Sequence, residues 1–330
     1  MAIDPRSLPA APALCRVRAA DGYPHLALWR DGVLRDLNDL GVILEGVVTN
    51  LEGGILDVPS GAWLDALMSL PLAQIRPALA HPDIDYLPSL ALDGLDWLPP
   101  VGDYQEVWAA GVTYLRSREA RVEEAVSKDI YTLVYEAERP ELFFKAAGWR
   151  VVPHGGEVGV RSDSTWDVPE PELAVLCNAH GEVVAYSCGN DMSSRSIEGE
   201  NPLYLPQAKV YDASCSIGPA AVLAWHVEPR RATIHLTIER DGQGIFAGAA
   251  SIADMVRDPA EMVRVLQAAY TLPHGAWLLT GTSLVPPDYT ALPGDVVRIR
   301  IDGIGELQNT VKLISHSGAT APPRAVSSEQ

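Results

Sequence analysis

The stretch Asp167–Asp191, DVPEPELAVLCNAHGEVVAYSCGND, constrains this chain more than any other. Two runs, Glu172–Asn178 and Glu182–Gly189, flank His180-Gly181 in the pattern of a β-hairpin. A turn at that pair sets Asp191 opposite Glu170 and Gly189 opposite Glu172, with Gly189 leaving room between the acids. Side chains alternate along a strand and cross-strand partners share a face, so Glu170, Glu172 and Asp191 converge. Carboxylates that close resist ionising unless a cation joins them. An all-oxygen set suits Mg²⁺, with Mn²⁺ or Ca²⁺ as alternatives, in preference to Zn²⁺. Pro171 between the glutamates belongs at a strand start or a sheet edge, hence at the mouth of a site. The competing interpretation is a solvated acidic hairpin, and a slip of one residue would turn Asp191 to the other face. The polar run after Asp191, MSSRSIEGENPLYLPQAKVYD, favours a site.

A formal charge of −18 argues against nucleic acid and anionic membrane surfaces as partners. No apolar run reaches the length of a membrane span, and MAIDPRSLPAAPALCRV lacks the basic-then-apolar pattern of a signal peptide. The expectation is a cytoplasmic protein. Cys15, Cys177, Cys188 and Cys215 are scattered without a C-x-x-C pair, which suits buried free thiols in a reducing compartment.

Residues 1–100 read as a small N-terminal α+β domain and linker, with a hairpin around Arg30-Asp31-Gly32 and helical periodicity over Gly61–Ala80 broken by Pro71 and Pro77. Leu98-Pro99-Pro100 marks the boundary. Residues 101–314 form the expected metal-binding domain, and 315–330 a mobile tail. Within 101–314, EVWAAG is a strand, Tyr114–Glu136 a charged helix, and ELFFKA a strand carrying Lys145. Ser193–Pro219 is loop-rich, and a loop of that length is usually functional. Strands follow, with a turn at Asp241-Gly242. A helix capped by Asp258 and opened by Pro259 runs to about Leu272, and a last hairpin turns through Asp302–Gly305. Strands in hairpins with few helices give a β-rich α+β fold with helices packed outside. No G-x-G-x-x-G follows a strand, and no P-loop is present.

Taken in order, these motifs resemble the fumarylacetoacetate hydrolase superfamily. Its E-x-E pair and later N-D match Glu170, Glu172 and Asn190-Asp191, and N-D-V-S-x-R continues as Asn190–Arg195. Its later lysine matches Lys209 in QAKVYD, and Gly281-Thr282, Gly294-Asp295 and Gly303–Asn309 match the C-terminal motifs. The resemblance spans about Trp108–Lys312. It implies a β-roll-like C-terminal domain, a divalent ion on the three carboxylates and a homodimer or higher homo-oligomer.

One departure carries information. Hydrolases of this superfamily follow G-x-N-Y closely with a histidine that activates water, whereas here Gly111-Val112-Thr113-Tyr114-Leu115-Arg116 leads to Ser117. Without that base, hydrolysis of a carbon–carbon bond loses its water activator. SREAR and IEGENPLYLPQAKVY instead resemble the branch that dehydrates 2-keto-3-deoxy sugar acids. That resemblance implies dehydration of a 2-keto-3-deoxypentonate to 2,5-dioxopentanoate, with a small keto sugar acid as the partner molecule. Lys209 and Glu119 are then the proton-transfer candidates. Lys145 neutralises a metal ligand or holds substrate, and Arg195 and Thr282 bind the substrate carboxylate. The alternatives are an acylpyruvate or diketo-acid hydrolase of the same superfamily and a non-catalytic metal-binding relative.

Overall fold

Asp31 and Gly32 take φ of 52° and 78°, and Asp241 and Gly242 take 51° and 76°, the left-handed pairs that two-residue hairpins require. Both sequence-read turns thus form where the Asp-Gly pairs stand. The structure, a computed structural model, describes residues 3–38, 40, 61–114, 134 and 137–315. The helix expected over Tyr114–Glu136 and the tail beyond Ser315 fall almost wholly outside these residues.

In chain order the strands are β1 (Ala13–Arg18), β2 (Pro24–Arg30), β3 (Val33–Asp36), β4 (Ser89–Leu90), β5 (Asp96–Leu98), β6 (Glu106–Gly111), β7 (Glu141–Ala147), β8 (Glu157–Arg161) and β9 (Asp167–Val168). They continue as β10 (Pro171–Cys177), β11 (Val183–Asp191), β12 (Ser193–Ser194), β13 (Cys215–Leu223), β14 (Thr233–Arg240), β15 (Gln243–Ser251), β16 (Ala276–Leu279), β17 (Val296–Ile301) and β18 (Gly305–Ile314). The larger sheet runs β4-β3-β2-β1-β13-β11-β10-β16-β6-β7, with β5 also on β1, and the smaller runs β15-β14-β17-β18-β8. The β-rich fold with helices outside is as expected.

Burial explains why β10 reads as an almost unbroken apolar run. Leu173, Val175 and Cys177 pack with Ile234, Leu236 and Ile299 of the smaller sheet. Ala174 and Leu176 belong to a second core with Leu64, Leu67 and Ile75. A strand covered on both faces has no polar alternation to show.

Three boundaries differ from expectation. Ala13 and Leu14 of β1 pair with Val222 and Ala221 of β13, so the strands of 1–100 extend the larger sheet and Leu98-Pro99-Pro100 joins two parts of one sheet. Ser193–Pro219 is not simply loop: it holds short helices at Arg195–Glu200 and Leu205–Lys209 before β13 begins. The helix from Pro259 ends at Gln267, short of Leu272. Pro71 does separate two helices, Trp63–Met68 and Leu72–Leu79, while Pro77 is accommodated inside the second.

Candidate active site

The hairpin of β10 and β11 sets the site. Its connection is longer than a two-residue turn: Asn178 Oδ1 accepts from the His180 and Glu182 N–H groups at 3.0 and 2.9 Å, and Cys177 pairs with Val183. Continued unchanged, that register would place Cys188 opposite Glu172 and turn Asp191 to the other face. A bulge between Leu176 and Cys177 corrects it. Beyond it Glu172 faces Gly189, Pro171 faces Asn190, and the Asp191 N–H donates to the Glu170 carbonyl at 3.0 Å.

The three carboxylates therefore meet. Glu170, Glu172 and Asp191 each offer an oxygen within 4.8 Å of the others, and they are 3%, 1% and 1% exposed. Three buried cations surround them. Lys209 Nζ lies 2.8 Å from Glu170 Oε2 and 2.9 Å from Asp191 Oδ2. Lys145 Nζ lies 2.5 Å from Asp191 Oδ1, and Arg195 Nη2 lies 2.9 Å from Glu170 Oε1. Glu172 is treated differently: it accepts the Gly281 N–H at 2.6 Å and meets no ammonium or guanidinium at ion-pair distance among the described residues. Burial, reinforced by the charges of Asp191 and Glu170, holds its carboxyl well above the usual range. An anionic position left without a counter-cation, inside an all-oxygen donor set, fits a hard divalent ion.

The lysines are informative by their rarity. The chain has 25 basic side chains, of which Lys128, Lys145, Lys209 and Lys312 are the lysines. Two of these four stand on the carboxylate trio.

The expected site residues are placed as follows. Lys145 is fully buried, and besides Asp191 it donates to the Met192 and Lys209 carbonyls at 2.9 and 2.5 Å. It thus combines an ion pair to Asp191 with two backbone acceptors. Arg195 stands on Glu170 at the start of its helix, whose N-cap is Ser194. The Thr282 hydroxyl accepts the Leu284 N–H at 3.1 Å, closing a local turn beside Gly281. Glu119 and Ser117 lie outside the described residues. The room ascribed to Gly189 is filled: a Cβ there would lie 2.5 Å from Leu279 Cδ2, so the glycine serves apolar packing.

Ser193 was not singled out from sequence. It takes a hydrogen bond from Lys209 Nζ at 2.5 Å and donates to the Asp191 carbonyl at 3.0 Å. Its position two residues after Asp191, on the same side of an extended chain, was the available signal. Nearby, the Tyr211 hydroxyl and the Trp166 indole N–H donate to the Gly159 and Tyr289 carbonyls.

A family model for the C-terminal part of fumarylacetoacetate (FAA) hydrolase matches residues 107–312. A Haloferax volcanii protein named probable 2-keto-3-deoxyxylonate dehydratase is 53% identical over 214 residues, 64% of this chain and 74% of that protein. The 2-dehydro-3-deoxy-D-arabinonate dehydratase of Saccharolobus solfataricus is 41% identical over 238 residues, 69% of this chain and 80% of that protein. A solved structure of 2-keto-3-deoxy-D-arabinonate dehydratase complexed with magnesium and 2,5-dioxopentanoate superposes with a TM-score of 0.70 at 32% identity, covering 92% of this chain and 100% of that one.

Proposed function

The chain belongs to the fumarylacetoacetate hydrolase family, and within it we propose a divalent-metal-dependent dehydratase that converts a 2-keto-3-deoxypentonate to 2,5-dioxopentanoate. The observation that carries this reading is the likeness to two proteins named as dehydratases of such acids, at 53% and 41% identity. The buried carboxylate trio supports it, because this chemistry needs charge stabilised next to a 2-oxo group.

The reaction removes a proton from C3 and the hydroxyl from C4, and the unsaturated keto acid that forms tautomerises to the C5 aldehyde. A divalent cation held by Glu170, Glu172 and Asp191 would supply Lewis-acid polarisation of the 2-oxo group. Lys209, with Nζ among Glu170, Asp191 and Ser193, holds or moves the proton at C3 or at the C4 hydroxyl. Glu119 is the second proton carrier. Two backbone acceptors and the close ion pair with Asp191 support a role for Lys145 as the counter-charge of that carboxylate, with substrate contact left to others. Arg195 and Thr282 bind the substrate carboxylate.

The reading extends to a cytoplasmic homodimer serving pentose degradation. Phe144 of β7 and the nearby Trp149 are 38% and 65% exposed, and β7 ends the larger sheet; both support a second copy there. The four buried free cysteines support a reducing compartment.

The test is an assay of the purified protein with Mg²⁺ and racemic 2-keto-3-deoxypentonate. The aldehyde is followed through a coupled semialdehyde dehydrogenase, with EDTA as control. Product that disappears with EDTA is expected. A protein that binds Mg²⁺ and yields no product would refute the dehydratase and point to acylpyruvate hydrolysis.

A further inference from the structure

The peptide unit joining Thr280 to Gly281 carries a hydrogen bond at each end. Its N–H donates to Glu172 Oε2 at 2.6 Å. Its carbonyl, that of Thr280, accepts the Thr113 hydroxyl at 2.6 Å. Thr113 is fully buried, and its own carbonyl accepts the Val256 N–H at 3.0 Å, so the side chain is held from behind.

The local backbone is shaped for this contact. Val112 takes φ of 52°, a left-handed conformation that a β-branched residue adopts at a steric cost. Gly281 takes φ of 87°, and a Cβ on it would lie 2.2 Å from Thr113 Oγ1. Strain at one position and an obligatory glycine at the other bring hydroxyl and peptide together.

We infer that Thr113 is a positioning residue for the metal ligand Glu172, acting through the Thr280–Gly281 peptide. A donor on a carbonyl polarises its amide and strengthens the N–H as a donor in turn. It also fixes the plane of that peptide, and with it the direction from which Glu172 is held. The effect matters most at Glu172, the carboxylate of the trio that no cation pairs at ion-pair distance among the described residues. Partners behind metal ligands of this kind typically change metal affinity by about 10- to 100-fold when removed. The inference rests on the carboxylate trio being a metal centre, and it does not depend on which keto acid the protein takes.

The test measures Mn²⁺ affinity by electron paramagnetic resonance on the full chain, at fixed pH and without substrate. Thr113→Val is expected to weaken Mn²⁺ binding about 10-fold, and Thr113→Ser, which restores the hydroxyl, to return it to within about twofold. Thr113→Ala removes the hydroxyl without pressing a methyl group on the Thr280 carbonyl and should show the same loss. Valine and alanine variants that bind Mn²⁺ as the wild type does would overturn the inference, as would a serine variant as weak as they are. A separate outcome, Glu172→Gln binding Mn²⁺ as the wild type does, would refute the metal centre itself.

Discussion

Asp65 offers a measurement whose size follows from one buried group. It lies on the helix Trp63–Met68, 2% exposed, and presses on the chain at Gly102, where a Cβ would sit 2.1 Å from its Oδ1. Neither carboxylate oxygen meets a donor at good geometry among the described residues. Burial pushes its carboxyl from 3.8 up to about 6, with the charges of Arg16 and His274 offsetting only part of the effect. A folded state that binds this proton more tightly than the unfolded chain is favoured below the unfolded value. It loses that advantage as pH rises through the folded one. At 1.36 kcal/mol per unit of pKa, the ionised group costs about 3 kcal/mol above pH 7 and about 1 kcal/mol at pH 4.5. Asp65→Asn keeps the shape and abolishes the titration. Urea unfolding of both proteins at pH 8, 6 and 4.5 isolates the effect, since other titrating groups cancel in the difference. The variant should be more stable by about 3 kcal/mol at pH 8, with the gain shrinking toward acid. Parallel profiles, or a variant no more stable than the wild type at pH 8, would refute the reasoning.

Other outcomes follow from the trio and its surroundings. Glu172→Gln and Asp191→Asn should each lower Mg²⁺ affinity by making one ligand neutral; unchanged calorimetric titrations would remove the metal centre. Lys209→Ala should retain metal binding while turnover drops by roughly 10²-fold or more, the usual scale for a positioned acid or base. Near-normal activity would exclude that role. Gly189→Ala should destabilise the fold by about 1–3 kcal/mol, the typical cost of overpacking a core, because its Cβ meets Leu279 Cδ2. A melting temperature equal to that of the wild type would show that β11 yields there at no cost.

What the sequence discloses here is local, and what it hides is set by contacts between distant segments. The Asp-Gly turns and the alternation that brings Glu170, Glu172 and Asp191 together depend on neighbours a few residues away. The hairpin register illustrates the limit. The connection is longer than a two-residue turn, yet the pairing of Glu172 with Gly189 that such a turn implies is present, because a bulge at Leu176–Cys177 compensates for the longer connection. Lys145 is expected either at a metal ligand or on substrate, but nothing in ELFFKA selects Asp191 or announces the Met192 and Lys209 carbonyls as its acceptors. Likewise, nothing in the first hundred residues shows that Ala13 and Leu14 will pair with Val222 and Ala221. Those facts exist only once β7, β11 and β13 are assembled.

The choice of lysine at the trio is itself a physical statement. An ammonium presents three N–H groups in a tetrahedral fan, whereas a guanidinium presents a planar fork and does not give up its proton. Lys145 donates to two backbone carbonyls and forms an ion pair with Asp191, and Lys209 donates to two carboxylates and the Ser193 hydroxyl. Arg195 instead pairs with one outer oxygen of Glu170, a contact that a fork suits. In a chain that otherwise draws its positive charge mainly from arginine, geometry accounts for lysine at both positions. Lys145 is fixed between Asp191 and backbone carbonyls, while Lys209 bridges the side chains of Glu170, Asp191 and Ser193.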